Sequence, residues 1–354
     1  MSYRDDHTMS NRSTVLTLTG IVTETAEFSG KVINELSYRE AMGLTSKNCI
    51  SNIDRLDQDY QFLSTLASET LVKITADKAS CFNERYAAAN LLGLRGDTRI
   101  DVCNPCMINV PAARVTLGLE KNKIRDVACE FRQYGVTEEW ISKECPAYQT
   151  FIPAFSLAKY CVTNWEYLCF LSETGYEEFP DSWRYGTYPR QRANHPVYTV
   201  SFEAAKAYTA WISRRTGRNF HLPSEAQWEY AAAGARGLEY PWGNTFLPDH
   251  CNSVESGIID ATPVGIFPHG AGPFGHLDMA GNVEEYTDGG YKPYEGSDTE
   301  IEDDLRRTQG ESYPVARGGS FTRFRDLCRT RRRHGRYDSE LYVMGFRLAE
   351  TIAC

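Results

Sequence analysis

From Asn109 onward, this 354-residue chain consists of short segments separated by glycine and proline, with aromatic residues throughout. Glycine adopts backbone angles that other residues avoid, and proline lacks an amide hydrogen, so both residues interrupt helices and strands. Long uninterrupted elements are therefore not expected. The sequence predicts a compact domain with much irregular structure.

Three helices inside this domain are predicted from their first residues. Thr163 and Ser224 each begin a capping box, in which a hydroxyl and a longer polar side chain three residues later satisfy free amides at the helix start. Ser201 is a third N-cap, and Gly217 is suited to end the helix that follows it. The predicted helices cover residues 164–174, 202–215 and 225–233.

Residues 1–100 carry weaker helical periodicity, in stretches such as LDQDYQFLSTLASETLVKIT and NERYAAANLLGLRG. Apolar residues recur there at helix-like spacing, and Gly96 marks a stop. We therefore predict two parts, a small helical N-terminal region over residues 1–100 and a larger domain over residues 101–354.

The overall composition is that of a soluble globular chain, with 42% hydrophobic and 24% charged residues and a formal net charge of −9. No apolar run approaches the roughly 20 residues needed to cross a bilayer, and the first residues contain no hydrophobic signal region. We expect a cytoplasmic protein with no membrane partner. The eleven cysteines are odd in number and irregularly spaced, which favours reduced, mostly buried thiols.

Residues 317–349 are basic, although the chain as a whole is acidic. It holds three acids and nine arginines, which are Arg317, Arg323, Arg325, Arg329, Arg331, Arg332, Arg333, Arg336 and Arg347. A basic patch can bind nucleic acid, but the acidic chain as a whole and the absence of a recognised nucleic-acid fold argue against such a partner. Arginine and tyrosine also suit a recognition face, because they combine large contact area with directional polar groups.

Several motifs between Phe155 and Leu348 occur in the order typical of one family. They include HPVYTVSFEAAKAYTAWI, FHLPSEAQWEYAAAGA, YPWGN, FGHLDMAGNVEEYTD, ARGGSF and GFRLA. The chain resembles the formylglycine-generating enzyme, or sulfatase-modifying factor, family, and NVPAARVTLG at 109–118 looks like its opening strand. The resemblance implies an α+β, C-type-lectin-like fold with limited secondary structure and a binding surface of loops near the C-terminus.

The loop DMAGNVEE has features of a calcium site. Asp278 and Glu285 supply carboxylates, the hard oxygen ligands that calcium prefers, on either side of a glycine-containing turn. By resemblance, the ligands are these two side chains and the carbonyls of Gly281 and Val283. A structural calcium ion is expected, and the alternative is a turn whose acids face water.

A departure from the family pattern occurs in the same loop and the strand that follows it. Glu284 and Tyr286 occupy positions where the family usually has tryptophan. We expect this departure to weaken the packing of the loop more than its metal ligands.

The enzymes of this family oxidise a substrate cysteine to formylglycine, using copper(I) held by two cysteine thiolates near the GGS motif. Counted from that motif, the first cysteine position is Arg323 and the second is Cys328. An arginine cannot ligate a cuprous ion, and its fixed positive charge opposes one. Copper is therefore not expected, and Cys328 is predicted to be a buried structural thiol.

An enzymatic alternative stays open. In a copper- or iron-dependent oxidase or oxygenase of this family, Cys328 and Ser320 would be catalytic, and Cys328 would recruit a second thiol from elsewhere. Iron-dependent relatives normally bring histidine ligands on a helical domain, but residues 1–100 contain only His7.

Relatives without catalytic cysteines include the variable proteins of diversity-generating retroelements, in which adenine-directed mutagenesis randomises chosen codons. Asparagine codons altered at their adenines cannot encode Glu, Lys, Gln, Met or Trp. Residues 322–327, 332–338 and 341–343 contain none of these five. The predicted ligand-binding residues are Thr322, Arg323, Phe324, Arg325, Asp326, Leu327, Arg332, Arg333, His334, Arg336, Tyr337, Asp338, Leu341, Tyr342 and Val343.

The sequence thus predicts a non-catalytic binding protein that displays this C-terminal surface to a protein or small-molecule ligand. Besides the oxidase, a second alternative is a family member without diversification, whose C-terminal strand is simply packed.

Overall fold

The N-terminal part of the chain is helical where the structure describes it. This computed structural model describes residues 28, 31, 33–44, 51, 53, 56–297, 304–310 and 312–352, so much of the predicted region 1–100 lies outside the described residues. Its helices are α1 (Tyr38–Ala41), α2 (Asp57–Leu63), α3 (Ser68–Ala76) and α4 (Phe82–Arg95). Helix α4 packs against α2 and α3 and buries Leu71 and Leu92 between them.

The remaining described residues form short strands and helices joined by long irregular segments. These elements are β1 (Met107–Val110), β2 (Ala113–Leu117), α5 (Ile124–Glu130), α6 (Glu138–Ser142), β3 (Tyr148–Ile152), β4 (Phe155–Ala158), α7 (Asn164–Thr174), α8 (Phe202–Thr216), β5 (Phe220–His221), α9 (Glu225–Ala233), β6 (Glu284–Gly290), α10 (Asp304–Gln309), β7 (Pro314–Arg317), β8 (Met344–Gly345) and β9 (Ala349–Thr351).

The strands form small sheets. Strands β1, β4, β9 and β5 form a four-stranded sheet in that order, and β2 pairs with β3. Strand β6 lies between β7 and β8, antiparallel to the first and parallel to the second. The predicted α+β class with limited secondary structure is confirmed.

The three helices predicted from their caps are confirmed as α7, α8 and α9. The Thr163 hydroxyl accepts from the Glu166 amide, while the Glu166 carboxylate accepts from the Thr163 amide at 2.7 Å. Ser224 begins α9 with the same reciprocal arrangement. Gly217 ends α8 with φ +71°, a conformation that costs glycine little.

The largest core cluster lies around α7 and α8. Tyr208 packs edge-on against Phe346, with ring centres 5.3 Å apart, and both side chains are buried. Phe324, Leu341 and Tyr342 of the C-terminal segment belong to this same cluster. None of the helices in the described part of the chain has both the length and the apolar composition needed to cross a membrane.

Candidate functional site

Most of the arginines that reverse the acidity of the C-terminal segment lie inside the protein. The fully buried ones are Arg317, Arg329, Arg332, Arg333 and Arg347. A buried guanidinium needs hydrogen-bond acceptors and a compensating charge, because it has lost its hydration. Most of these arginines receive that charge from glutamates elsewhere in the domain, so the basic segment is largely neutralised internally.

Arg329 forms a bidentate pair with one glutamate and a further contact with another. Its two terminal nitrogens donate to the two oxygens of Glu144, both at 2.9 Å, and its Nε donates to Glu239. The side chains of Arg329 and Glu144 are both fully buried. This bidentate pair ties the C-terminal segment to the loop after α6.

Arg333 was predicted to bind ligand, and in the structure four of its five N–H donors bind other parts of the protein. Its Nε and Nη2 donate to Glu225 of α9 at 2.9 and 2.6 Å, and it also donates to the carbonyls of Lys143 and Lys292. Its guanidinium lies 4.1 Å from the ring centre of Tyr294. Arg333 therefore anchors the segment to α9.

Arg323 and Glu284, two of the three departures from the family pattern, pair with each other. The Nε of Arg323 donates to Glu284 Oε1 at 3.2 Å, and His334 Nδ1 lies 3.0 Å from Glu284 Oε2. Burial would raise the pKa of Glu284, but His334 and Arg323 hold it below its usual range. Burial lowers the pKa of His334 to about 4 despite the nearby carboxylate. Glu284 thus forms an ion pair at a position where the family usually has a tryptophan side chain.

Cys328 is fully buried, as predicted, and lies beside a second thiol that the sequence did not indicate. Cys251 and Cys328 share a buried cluster with Tyr240 and Ala280. The contact with Cys251 and burial both raise the pKa of Cys328 well above its usual value. The site therefore contains two adjacent buried thiols, while Ser320 is buried and bonds to the Thr322 hydroxyl at 2.9 Å.

The predicted calcium ligands do not fit a calcium ion. Arg347 donates to both oxygens of Glu285, at 2.5 and 2.6 Å, and the Trp228 indole donates to the same carboxylate at 2.8 Å. Both oxygens of Glu285 are thus engaged by protein donors. Asp278 accepts the Gly265 amide at 2.7 Å, and burial raises its pKa to about 6.

The glycine turn of this loop serves packing. Gly281 has φ +76°, and a Cβ added to it would lie 2.4 Å from the Asn252 carbonyl oxygen, while Val283 is fully buried. In the described part of the chain, no three His, Cys, Asp or Glu side chains gather as a metal site. In this structure the Arg347 guanidinium supplies the positive charge beside Glu285.

Other predicted residues surround a cavity with about 550 Å³ of empty space, part of it open to solvent. The predicted ligand-binding residues that line it are Thr322, Arg323, Phe324, Asp326, Leu327, Arg332, His334 and Tyr342. The lining residues that sequence reasoning missed are Ile33, Asn34, Ala41, Tyr134, Trp140, Lys143 and Leu305. No local signal identifies them, because they come from distant parts of the chain.

The remaining predicted residues lie away from the cavity. Leu341 and Val343 are buried in apolar clusters, whereas Arg325, Arg336 and Tyr337 are half-buried and Asp338 is exposed. The backbone amide of Arg325 donates to Glu255 at 2.9 Å, which fixes the start of the segment.

Part of the predicted recognition surface is covered by the N-terminal region. Asn34 accepts a 2.6 Å hydrogen bond from the Tyr342 hydroxyl, and the ring of Phe28 packs 5.8 Å from that of Phe324. Only 5% of Phe324 and 2% of Tyr342 remain exposed. The N-terminal region thus forms one wall over the C-terminal segment, which the sequence did not predict.

These features define a lectin-like scaffold in which the C-terminal segment and the N-terminal region line a cavity that includes Arg323. Residues 100–352 match the family model described as the sulfatase-modifying factor enzyme 1-like domain. The chain belongs to this family.

Some relatives of this chain are named as enzymes, and others are named as inactive. The hercynine oxygenase of Mycobacterium tuberculosis is 31% identical over 215 residues, covering 51% of this chain and 48% of that protein. The inactive C-alpha-formylglycine-generating enzyme 2 of Mus musculus is 34% identical over 173 residues, covering 46% and 51%. The chain spans about half the length of these relatives, so their whole activities do not transfer to it directly.

The solved structure of PvdO from Pseudomonas aeruginosa aligns with a TM-score of 0.54 and 24% identity, covering 72% of this chain and 97% of that one. This similarity agrees with the fold.

Proposed function

We propose that the protein binds a ligand in the cavity of its C-terminal segment and does not transform it. The observation that carries this proposal is the ion pair of Arg323 with Glu284. Arg323 occupies the position of the first copper-binding cysteine, and both partners are buried. A fixed guanidinium there opposes a cuprous ion and offers no soft ligand. The cavity favours a small molecule over a protein as the ligand.

One observation favours the oxidase as a second candidate. Cys251 lies against Cys328, and two thiols are the donor number that linear copper(I) coordination requires. In this candidate Cys251 takes the place of the missing first cysteine. Copper bound there would supply the oxygen chemistry, while Cys251 and Cys328 would hold it as thiolates. The raised pKa of Cys328 opposes this candidate, because metal binding requires the thiolate.

The two candidates are separated by copper and oxygen measurements on the purified full chain. We expect no stoichiometric copper(I) binding and no oxygen consumption with a cysteine-containing peptide, because both thiols are buried and the pKa of Cys328 is raised. Cys328→Ser should behave like the unmodified protein, as should the control Cys129→Ser, which alters an exposed cysteine. Stoichiometric copper and oxygen consumption that both disappear in Cys328→Ser would show that the protein is an oxidase.

We also propose that part of the segment is diversified, as in retroelement variable proteins. Its support is the absence of the five codon-forbidden residues from 322–327, 332–338 and 341–343, which lie between framework motifs. Burial limits where such variation is tolerated, since truncating a buried apolar side chain costs about 2–5 kcal/mol. Arg325, Arg336, Tyr337 and Asp338 are the more exposed positions, and variation is expected mainly there.

The diversification proposal makes a prediction about the gene. A nearby repeat should match the codons of residues 317–349 and carry adenines at the sites that differ, accompanied by a reverse transcriptase gene. Sequencing the genomic neighbourhood checks this. If both are missing, the protein is a static family member with a packed C-terminal strand.

A further inference from the structure

The segment that joins the helical N-terminal region to strand β1 carries two exposed thiols. Cys103 and Cys106 form the only CxxC motif of the chain, and both are free and exposed in the structure. Neither side chain belongs to the buried core or lines the cavity of the C-terminal segment. Free cysteine is among the residue types most often buried, so packing does not explain these two thiols. At this spacing, two thiols can close a disulfide with each other.

The backbone between the two cysteines is bent and held by hydrogen bonds. The Asp101 carboxylate accepts the amides of Cys103 and Asn104, at 2.9 and 3.1 Å, and the Asp101 carbonyl accepts the Asn104 amide at 3.2 Å. The chain bends at each of residues 102–104, so it is not extended between Cys103 and Cys106. A bend of this kind brings the two cysteines nearer to each other, and a disulfide requires Cα atoms within about 7 Å.

An arginine of helix α8 contacts the first of these thiols. Arg215 Nε donates to Cys103 Sγ at 3.3 Å. The same guanidinium pairs with Glu173 through Nη1 and lies 5.6 Å from the ring centre of Trp211, whose indole donates to Glu173 at 3.1 Å. These contacts hold the guanidinium beside the sulfur. A cation in that position stabilises negative charge on sulfur, and the thiolate is the form of cysteine that attacks a disulfide.

Space for a small substrate lies beside the second thiol. Cys106 lines a cavity with about 350 Å³ of empty space, part of it open to solvent, together with Tyr160 and Glu166. This cavity shares no lining residue with the cavity of the C-terminal segment. A small molecule can therefore reach the CxxC motif without entering the proposed ligand site.

We propose that Cys103 and Cys106 form a redox-active dithiol that reduces the disulfide bond of a small molecule. Cys103, which is contacted by Arg215, attacks one sulfur atom of that disulfide, forms a mixed disulfide with it and releases the other half as a thiol. Cys106 then attacks Cys103 Sγ, closes the disulfide between the two cysteines and releases the second thiol. The protein is oxidised by two electrons, the substrate disulfide is reduced to two thiols, and the two protons of the protein thiols pass to the products.

Oxidised glutathione tests the proposal on the purified and fully reduced full chain. After timed exposure and acid quenching, the remaining thiols are alkylated and the state of each cysteine is read by peptide mass spectrometry. We expect a disulfide between Cys103 and Cys106 that excess reduced glutathione reverses, because exposed disulfides are open to exchange. Cys103 should react at least about threefold faster than Cys129, an exposed cysteine of α5, because Arg215 stabilises its attacking form.

Three variants separate the roles of the residues. Cys106→Ser should stop the reaction at a glutathione adduct on Cys103, because no second thiol remains to displace it. In that background, Arg215→Met should slow formation of the adduct by roughly threefold to tenfold. The matched control Arg214→Met, which alters the preceding exposed arginine of α8, should leave the rate unchanged. All of these side chains are exposed, so the variants are expected to fold.

Several results would contradict the proposal. They are separate glutathione adducts on Cys103 and Cys106 in place of a disulfide between them, a reaction at Cys103 no faster than at Cys129, equal rates for Arg215→Met and Arg214→Met, and two thiols that do not react at all. Copper(I) taken up by this exposed pair would persist in Cys328→Ser and be lost in Cys106→Ser, so it is distinguishable from copper at the buried thiols.

Discussion

Arg347→Met is expected to lower the free energy of unfolding by about 3–5 kcal/mol, because it leaves the Glu285 carboxylate buried without its counter-charge. Both side chains are fully buried, and Arg347 also donates to the carbonyls of Ala158 and Leu277. The variant therefore loses an ion pair and leaves the carbonyls of Ala158 and Leu277 without this hydrogen-bond donor. Denaturant unfolding monitored by circular dichroism measures the change.

The double variant Arg347→Met/Glu285→Gln separates the cost of the unpaired Glu285 charge from the cost of the lost hydrogen bonds to the two carbonyls. It removes the buried charge but leaves the two carbonyls without their donor, so its loss of stability should be smaller than that of Arg347→Met alone. A double variant as unstable as the single variant would show that the backbone hydrogen bonds, and not the stranded charge, are responsible. An unchanged Arg347→Met protein would contradict the role assigned to the pair.

Arg329→Met is the second substitution with a large expected effect, again a loss of about 3–5 kcal/mol. It leaves the fully buried Glu144 without its bidentate partner and removes one of the two arginines that pair with Glu239. Because Arg329 follows Leu327 and Cys328 directly, its loss should also loosen one side of the cavity. The same unfolding measurement applies.

An exposed ion pair provides the matched control for Arg329→Met. Arg307 lies 3.6 Å from Glu139, and the two side chains are 58% and 44% exposed. Arg307→Met should change stability by no more than about 0.5 kcal/mol, since water screens such pairs. Similar losses for Arg307→Met and Arg329→Met would mean that burial is not what makes the Arg329 pair important.

The helix starts could be predicted from sequence because capping is a local interaction. Thr163 and Ser224 contact residues only three positions away, so the pattern contains both partners. The family motifs indicated the fold class. Counting from the GGS motif showed that Arg323 stands at the position of the family's first copper-binding cysteine. Each of these predictions depends on neighbours in the chain or on a known order of motifs.

The candidate site could be predicted only in part. The sequence selected eight of the residues that line the cavity, but it placed them on an open surface. It assigned Arg333 to a ligand and Glu285 to calcium, whereas both form internal ion pairs. A sequence pattern shows which groups can bind or coordinate, but not which of them another residue has already satisfied.

The sequence by itself determined the starts of α7, α8 and α9, the family, the arginine at the first copper-binding cysteine position and the unusual concentration of arginines. The tertiary structure alone decided that most of these arginines lie inside, that Cys328 has a thiol neighbour, and that the N-terminal region covers the binding residues. The physical reason is the separation of the partners along the chain. Arg329 meets Glu144 across 185 positions and Tyr342 meets Asn34 across 308, so burial and pairing arise only after the chain has folded.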